Sequence, residues 1–70
     1  MANELIRLGI AVRQRREKLG LSQERLAEIC EFDRTYISMI ERGKRNPSFL
    51  NLLRLCKGLG TTINELAGDI

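Results

Sequence analysis

The stretch 22–42, SQERLAEICEFDRTYISMIER, constrains this chain more than any other part of it. Ser22 is a good N-cap, because its hydroxyl can accept a hydrogen bond from an unpaired amide in the first turn of a helix. Leu26, Ala27, Ile29 and Cys30 then recur at helical spacing and give that helix one apolar side. The small Ala27 lets a crossing helix approach closely. Glu31-Phe32 interrupts the pattern and Asp33 supplies a second cap. From Arg34 a new helix begins, with Ile37 and Ile40 pointing one way and Arg34, Thr35, Ser38 and Arg42 the other. Two short helices meet at a tight corner. The second hides isoleucines and presents guanidinium and hydroxyl groups, a shape suited to insertion into something polar.

The flanks read as more helix. The segment Asn3–Leu19 carries Leu5, Leu8, Val12 and Leu19 at helical spacing, and Arg16 falls on the same stripe, an odd place for a charge. Gly9 inside that helix costs about 1 kcal/mol relative to alanine, which a close helix contact explains. Gly20 ends it. After the central pair, Gly43 closes the third helix and Lys44-Arg45-Asn46-Pro47 forms a basic loop. Ser48 caps a fourth helix, Phe49–Leu59, in which Phe49, Leu50, Leu52, Leu53, Leu55, Cys56 and Leu59 are apolar. That is wider than the stripe a surface helix needs. Either the helix is central or part of it meets a second copy, and in so short a chain the second reading is favoured. Thr62-Ile63-Asn64-Glu65 is a capping box that opens a last short helix through Leu66. The expectation is all-α: five helices, no strands, one domain over 1–70.

Seventy residues lie near the lower limit for a core that holds without staples. With 43% hydrophobic and only 4% aromatic residues, that core must be aliphatic. Cys30 and Cys56 sit at apolar helix positions and read as reduced core fillers rather than a disulfide or metal pair. There is no histidine and no CxxC. There is also no leader pattern, and no apolar run near the ~18 residues of a membrane span. A cytoplasmic protein with no metal, cofactor or small-molecule effector is expected. Net charge is +3, too modest to identify a nucleic-acid binder alone. Its distribution says more. Arg13, Arg15, Arg16 and Lys18 crowd one stretch, Arg34, Arg42, Lys44, Arg45, Arg54 and Lys57 fill the second half, and Glu24, Glu28, Glu31 and Asp33 lie between. One basic face under a modest total is what phosphate contact requires.

Two helices in this arrangement form a helix-turn-helix, whose second helix enters the DNA major groove. Arg34 is the best base reader, since its planar fork can bond O6 and N7 of guanine together. At a helix start its charge opposes the helix dipole, so a purely structural arginine is disfavoured there. Thr35 can meet a thymine methyl, a phosphate or neither, and Ser38 is small enough to let the helix sit deep. Met39 lies at the margin, where packing against the fourth helix is an equal reading. Tyr36 borders the buried side with its hydroxyl available to a phosphate, and Arg42, Lys44 and Arg45 would overlie the backbone. Arg13 and Arg15 read as ordinary surface charge. One module reads too few base pairs to find a site, so a two-fold dimer on double-stranded DNA is expected. Its interface is placed on Phe49, Leu50, Leu53, Ile63, Leu66 and Ile70.

The segments LSQERLA at 21–27, YISMIERG at 36–43, RNPS at 45–48 and LGTTINEL at 59–66 resemble the Xre-type helix-turn-helix proteins, which include phage repressors and Cro-like regulators. The stretch DRTYIS-x-IERG-x-RNPS is also similar to controller proteins of restriction–modification systems. The resemblance implies that Gln23, beside Ser22 at the start of the second helix, meets the DNA backbone. It implies that Arg34, Thr35 and Ser38 face base edges, and that Tyr36, Lys44, Arg45 and Asn46 lie near the phosphates, with Arg45 able to reach bases. It also implies a structural ion pair between Arg16 and Glu41. At the corner, where the family often has glycine in a left-handed conformation, this chain has Glu31, at a cost of ~1 kcal/mol.

The resulting expectation is a dimeric, sequence-specific transcription regulator. The competing class is a protein-interaction or antitoxin-like adaptor docking a partner on the fourth helix; an adaptor has no need of Lys44-Arg45 beside an exposed Arg34. An enzyme is disfavoured, because no nucleophile–base arrangement or phosphate-binding glycine loop is visible.

Overall fold

Four side-chain caps divide the chain into its helices. In the computed structural model, which describes residues 3–68 and 70, these are α1 (Asn3–Lys18), α2 (Gln23–Cys30), α3 (Arg34–Glu41), α4 (Phe49–Gly58) and α5 (Ile63–Ala67). Ser22 Oγ accepts from Arg25 N at 3.0 Å, Asp33 Oδ1 from Thr35 N at 2.8 Å and Ser48 Oγ from Asn51 N at 3.2 Å. Thr62 and Glu65 complete the capping box, side chain to backbone in both directions. Among the described residues there is no strand.

Between α2 and α3 the chain turns through Glu31 at φ 60°, ψ 40°, the left-handed conformation that favours glycine. The turn returns two amides to α2: Glu31 N donates to Glu28 O, and Phe32 N to Ala27 O at 2.8 Å. Arg54 reaches across from α4 and gives its guanidinium to the carbonyls of Cys30 at 2.7 Å and Glu31 at 3.1 Å. A cation therefore sits at the negative end of α2, as its dipole favours.

The core is aliphatic. Leu8 and Val12 of α1, Leu26, Ala27 and Cys30 of α2, Ile37 and Ile40 of α3, Leu55, Cys56 and Leu59 around α4, and Leu66 of α5 form one buried cluster. Here α1 packs on α3, α2 on both α3 and α4, and α5 on α1 and α4. Gly9 has the role its position implied: a Cβ there would lie 2.5 Å from the carbonyl oxygens of Ile40 and Glu41. Gly58 does the same on α4, where a Cβ would run into the Cys30 sulfur.

Several expectations are corrected. α1 ends at Lys18, leaving Leu19 45% exposed. α4 ends at Gly58, with Leu59 buried as its cap residue. Ile29 lies outside the α2 stripe and is 43% exposed, because Leu26, Ala27 and Cys30 already fill the space against α3 and α4. Leu66, expected at the dimer interface, is sealed into its own subunit's core, since α5 folds back against α1 and α4.

Candidate nucleic-acid interface

The capped start of α3 sets one face of that helix toward solvent. Ile37 and Ile40 are buried, while Arg34, Thr35 and Arg42 are exposed and Ser38 and Met39 half-buried. The side chains of Arg34 and Lys44 have no ion-pair or hydrogen-bond partner among the described residues, so their charges are available to an outside anion. Arg42 instead turns back along its helix, its Nε donating to Ser38 O at 3.3 Å. A shallow open hollow lined by Arg16, Ser22, Gln23, Glu24 and Arg34 joins the starts of α2 and α3. Ser22 is exposed there, with its hydroxyl already accepting its capping bond.

Glu41 holds this face in position. Its carboxylate receives Arg16 Nε at 2.6 Å and Arg16 Nη2 at 3.0 Å, and Gln23 Nε2 at 3.1 Å. Arg16 Nη1 also donates to Leu21 O at 2.8 Å. The pair is nearly sealed, with side-chain exposures of 11% for Arg16 and 3% for Glu41. Its hydrogen bond to Glu41 raises the Arg16 pKa above the ordinary arginine value, against the opposing effect of burial. Gln23 therefore lines the hollow with one amide hydrogen bonded inward.

On the other flank, exposed Lys44, Arg45 and Asn46 follow the end of α3. Arg45 lies over the Tyr36 ring, 5.2 Å from its centroid, and Phe32 packs on that ring at 4.9 Å, tilted by 57°. Asn51 Nδ2 donates to the Tyr36 hydroxyl oxygen at 3.0 Å. Sequence reasoning missed Asn51: a polar residue in the first turn of a helix carries no signal of where its side chain will reach.

Two arginines counted toward the basic surface serve helix ends instead. Arg15 donates to the carbonyls of Leu59 and Gly60, both at 3.0 Å, and Arg54, besides closing α2, stacks over Phe32 at 4.5 Å. Arg15 is thus not ordinary surface charge. Arg13 is exposed and pairs with Glu17 one helical turn away.

Away from this face, the first half of α4 leaves Phe49 66%, Leu50 70% and Leu53 42% exposed. Ile70 is also exposed and Ile63 only partly covered. Cys30 and Cys56 are buried free thiols whose pKa burial pushes up, with the Arg54 charge pulling the other way at Cys30. Among the described residues no group of three or more Cys, Asp or Glu could hold a metal ion. Among the same residues no helix is long and apolar enough to cross a membrane.

Comparison with known proteins agrees with this geometry. The helix-turn-helix family model matches residues 12–66. The control protein C.MunI from Mycoplasma sp is 50% identical over 66 residues, covering 93% of this chain and 89% of that protein. The crystal structure of the restriction–modification controller protein C.AhdI from Aeromonas hydrophila superposes with a TM-score of 0.90 at 40% identity, over 93% of this chain and 98% of that one. The controller C.Esp1396I, crystallised as a tetramer with its natural 35 base-pair operator, superposes with a TM-score of 0.84 at 35% identity, over 89% of this chain and 82% of that one.

Proposed function

Because this chain belongs to the helix-turn-helix family, we propose that it is a sequence-specific, double-stranded-DNA-binding transcription regulator that acts as a homodimer with α3 in the major groove. One observation carries the reading: the solvent-open side of α3, with Arg34 unpaired at its start and the basic loop 44–46 beside it. Arg34, Thr35 and Ser38 meet base edges, Arg34 as a two-point donor to guanine. Ser22, Gln23, Tyr36, Arg42, Lys44, Arg45 and Asn46 meet the phosphates, which sets register and supplies most of the salt-dependent affinity.

The dimer follows from reach. The molecule is 28 × 22 × 22 Å, and half-sites on one face of B-DNA lie ~34 Å apart, so each copy serves one half-site. Phe49, Leu50, Leu53, Ile63 and Ile70 form the interface, where apolar surface is otherwise left in water. The single domain 1–70 works in the cytoplasm without cofactor or effector, so occupancy follows its concentration. Similarity to C.MunI and C.AhdI supports the narrower role of a restriction–modification controller. An adaptor that docks only protein leaves Arg34 and Lys44 without a task.

Selection of bound duplexes from a random pool, followed by gel shifts at graded salt, tests the proposal. Recovery of a two-fold symmetric site bound less tightly as salt rises is the expected result. No enrichment, with weak binding to every sequence, contradicts it.

A further inference from the structure

Tyr36 is held from three sides, and the hold on its oxygen comes from a different helix. Phe32 and Arg45 fix the plane of the ring, while Asn51, in the first turn of α4, donates to the phenolic oxygen at 3.0 Å. Asn51 is itself anchored, since its backbone N–H donates to Ser48 Oγ. We propose that Asn51 is a positioning residue for the DNA contact of Tyr36, orienting the tyrosine O–H as a donor to the phosphate backbone. The proposal rests on the DNA-binding reading above.

A phenol carries one proton and can also accept. If its oxygen accepts from the Asn51 amide, its own proton must point elsewhere. Among the described residues no hydrogen bond takes that proton. Tyr36 is half-buried on α3 with Arg45 over its ring, so a phosphate drawn to that guanidinium would come within reach of the free O–H. Hydrogen bonds to a charged acceptor are the stronger kind, and a fixed donor loses less freedom on binding than a rotating one. Without Asn51 the O–H would sample several directions, and Arg45 would stack on a less constrained ring.

Tyr36 is the sole tyrosine and the chain has no tryptophan, so tyrosine emission of the 70-residue chain reports this phenol alone. The test compares wild type, Asn51→Leu, Tyr36→Phe and the double variant, using the duplex that the wild type selects. Asn51→Leu is expected to melt close to wild type, to change the tyrosine emission of the free protein, and to weaken operator binding about fivefold to tenfold. The double variant should bind no worse than Tyr36→Phe alone, because both changes remove one contact. Asn51→Ala, which adds no bulk, is read the same way should the leucine disturb folding. Unchanged emission, operator binding equal to wild type, or losses that multiply in the double variant would each overturn the role of Asn51. A wild type that binds no duplex at all removes the DNA-binding reading and this proposal together, whereas multiplying losses on a bound operator remove only this one.

Discussion

Arg16 grips Glu41 at two points, and Gln23 adds a third bond to the same carboxylate, so α1, α2 and the last turn of α3 meet on one charged group. The frame that aims the reading helix is therefore ionic at its end and aliphatic along its length. A nearly buried pair is weak evidence of net stability, but removing one partner strands the other.

Glu41→Ala should lower the unfolding free energy by about 3–5 kcal/mol, because it leaves the Arg16 guanidinium buried and unpaired. For a domain this small that is most of its stability. Urea titration followed by circular dichroism checks it. Replacing both residues with apolar ones should cost less than either single change, and a single loss below about 1 kcal/mol would show that water reaches the pair. Since its partner raises the Arg16 pKa in the folded state, the stability that comes from keeping Arg16 charged is fully present below the ordinary arginine value and is lost as pH rises through the raised one.

At the corner, Glu31→Gly should raise stability by about 0.5–1 kcal/mol, since the left-handed backbone strains a residue with a Cβ. Operator affinity should not change, because the Arg54 hydrogen bonds to the Cys30 and Glu31 carbonyls survive the substitution and only its exposed 3.9 Å ion pair with the Glu31 carboxylate is lost. Thermal melts measure the first effect and gel shifts the second.

The buried thiols give a test of the core. Burial raises the pKa of both Cys30 and Cys56, so the folded state holds each proton more tightly than the unfolded chain does. Stability is thus full below the ordinary thiol range and falls as pH rises through it. In native buffer a thiol reagent should label neither residue except at the rate of global opening, and should label both at once in urea. Rapid labelling of the native protein would place a thiol at the surface.

Leu50→Glu puts a charge where a side chain is 70% exposed in the single copy, so the fold should be untouched. Sedimentation at tens of micromolar should show a dimer for the parent chain and a monomer for the variant, with operator binding greatly weakened. A parent chain that is already monomeric at that concentration and still binds its operator tightly would rule out this interface.

What could be read in advance followed physical necessity. The caps at Ser22, Asp33, Ser48 and Thr62, the five helices and the solvent-open side of α3 were legible because each rests on local chemistry or periodicity. The excess of apolar residues on α4 resolved into a buried half, Leu55, Cys56 and Leu59, and an exposed half, Phe49, Leu50 and Leu53. The misreadings were of tertiary reach. Arg15 and Arg54 are long enough to leave their own helices and close the ends of others, which a count of charges cannot show. Leu66 and Ile29 are equally apolar, and only the way α5 and α2 fold against their neighbours decides that one is buried and the other is not.

The most direct test compares Arg34→Ala and Lys44→Ala on the selected operator and on random duplex across a salt series. Arg34→Ala should weaken operator binding by about 1–3 kcal/mol and random-duplex binding far less. Lys44→Ala should weaken both alike and reduce the salt slope by about one. Equal losses from the two substitutions on both duplexes would contradict a reading helix whose first residue recognises bases.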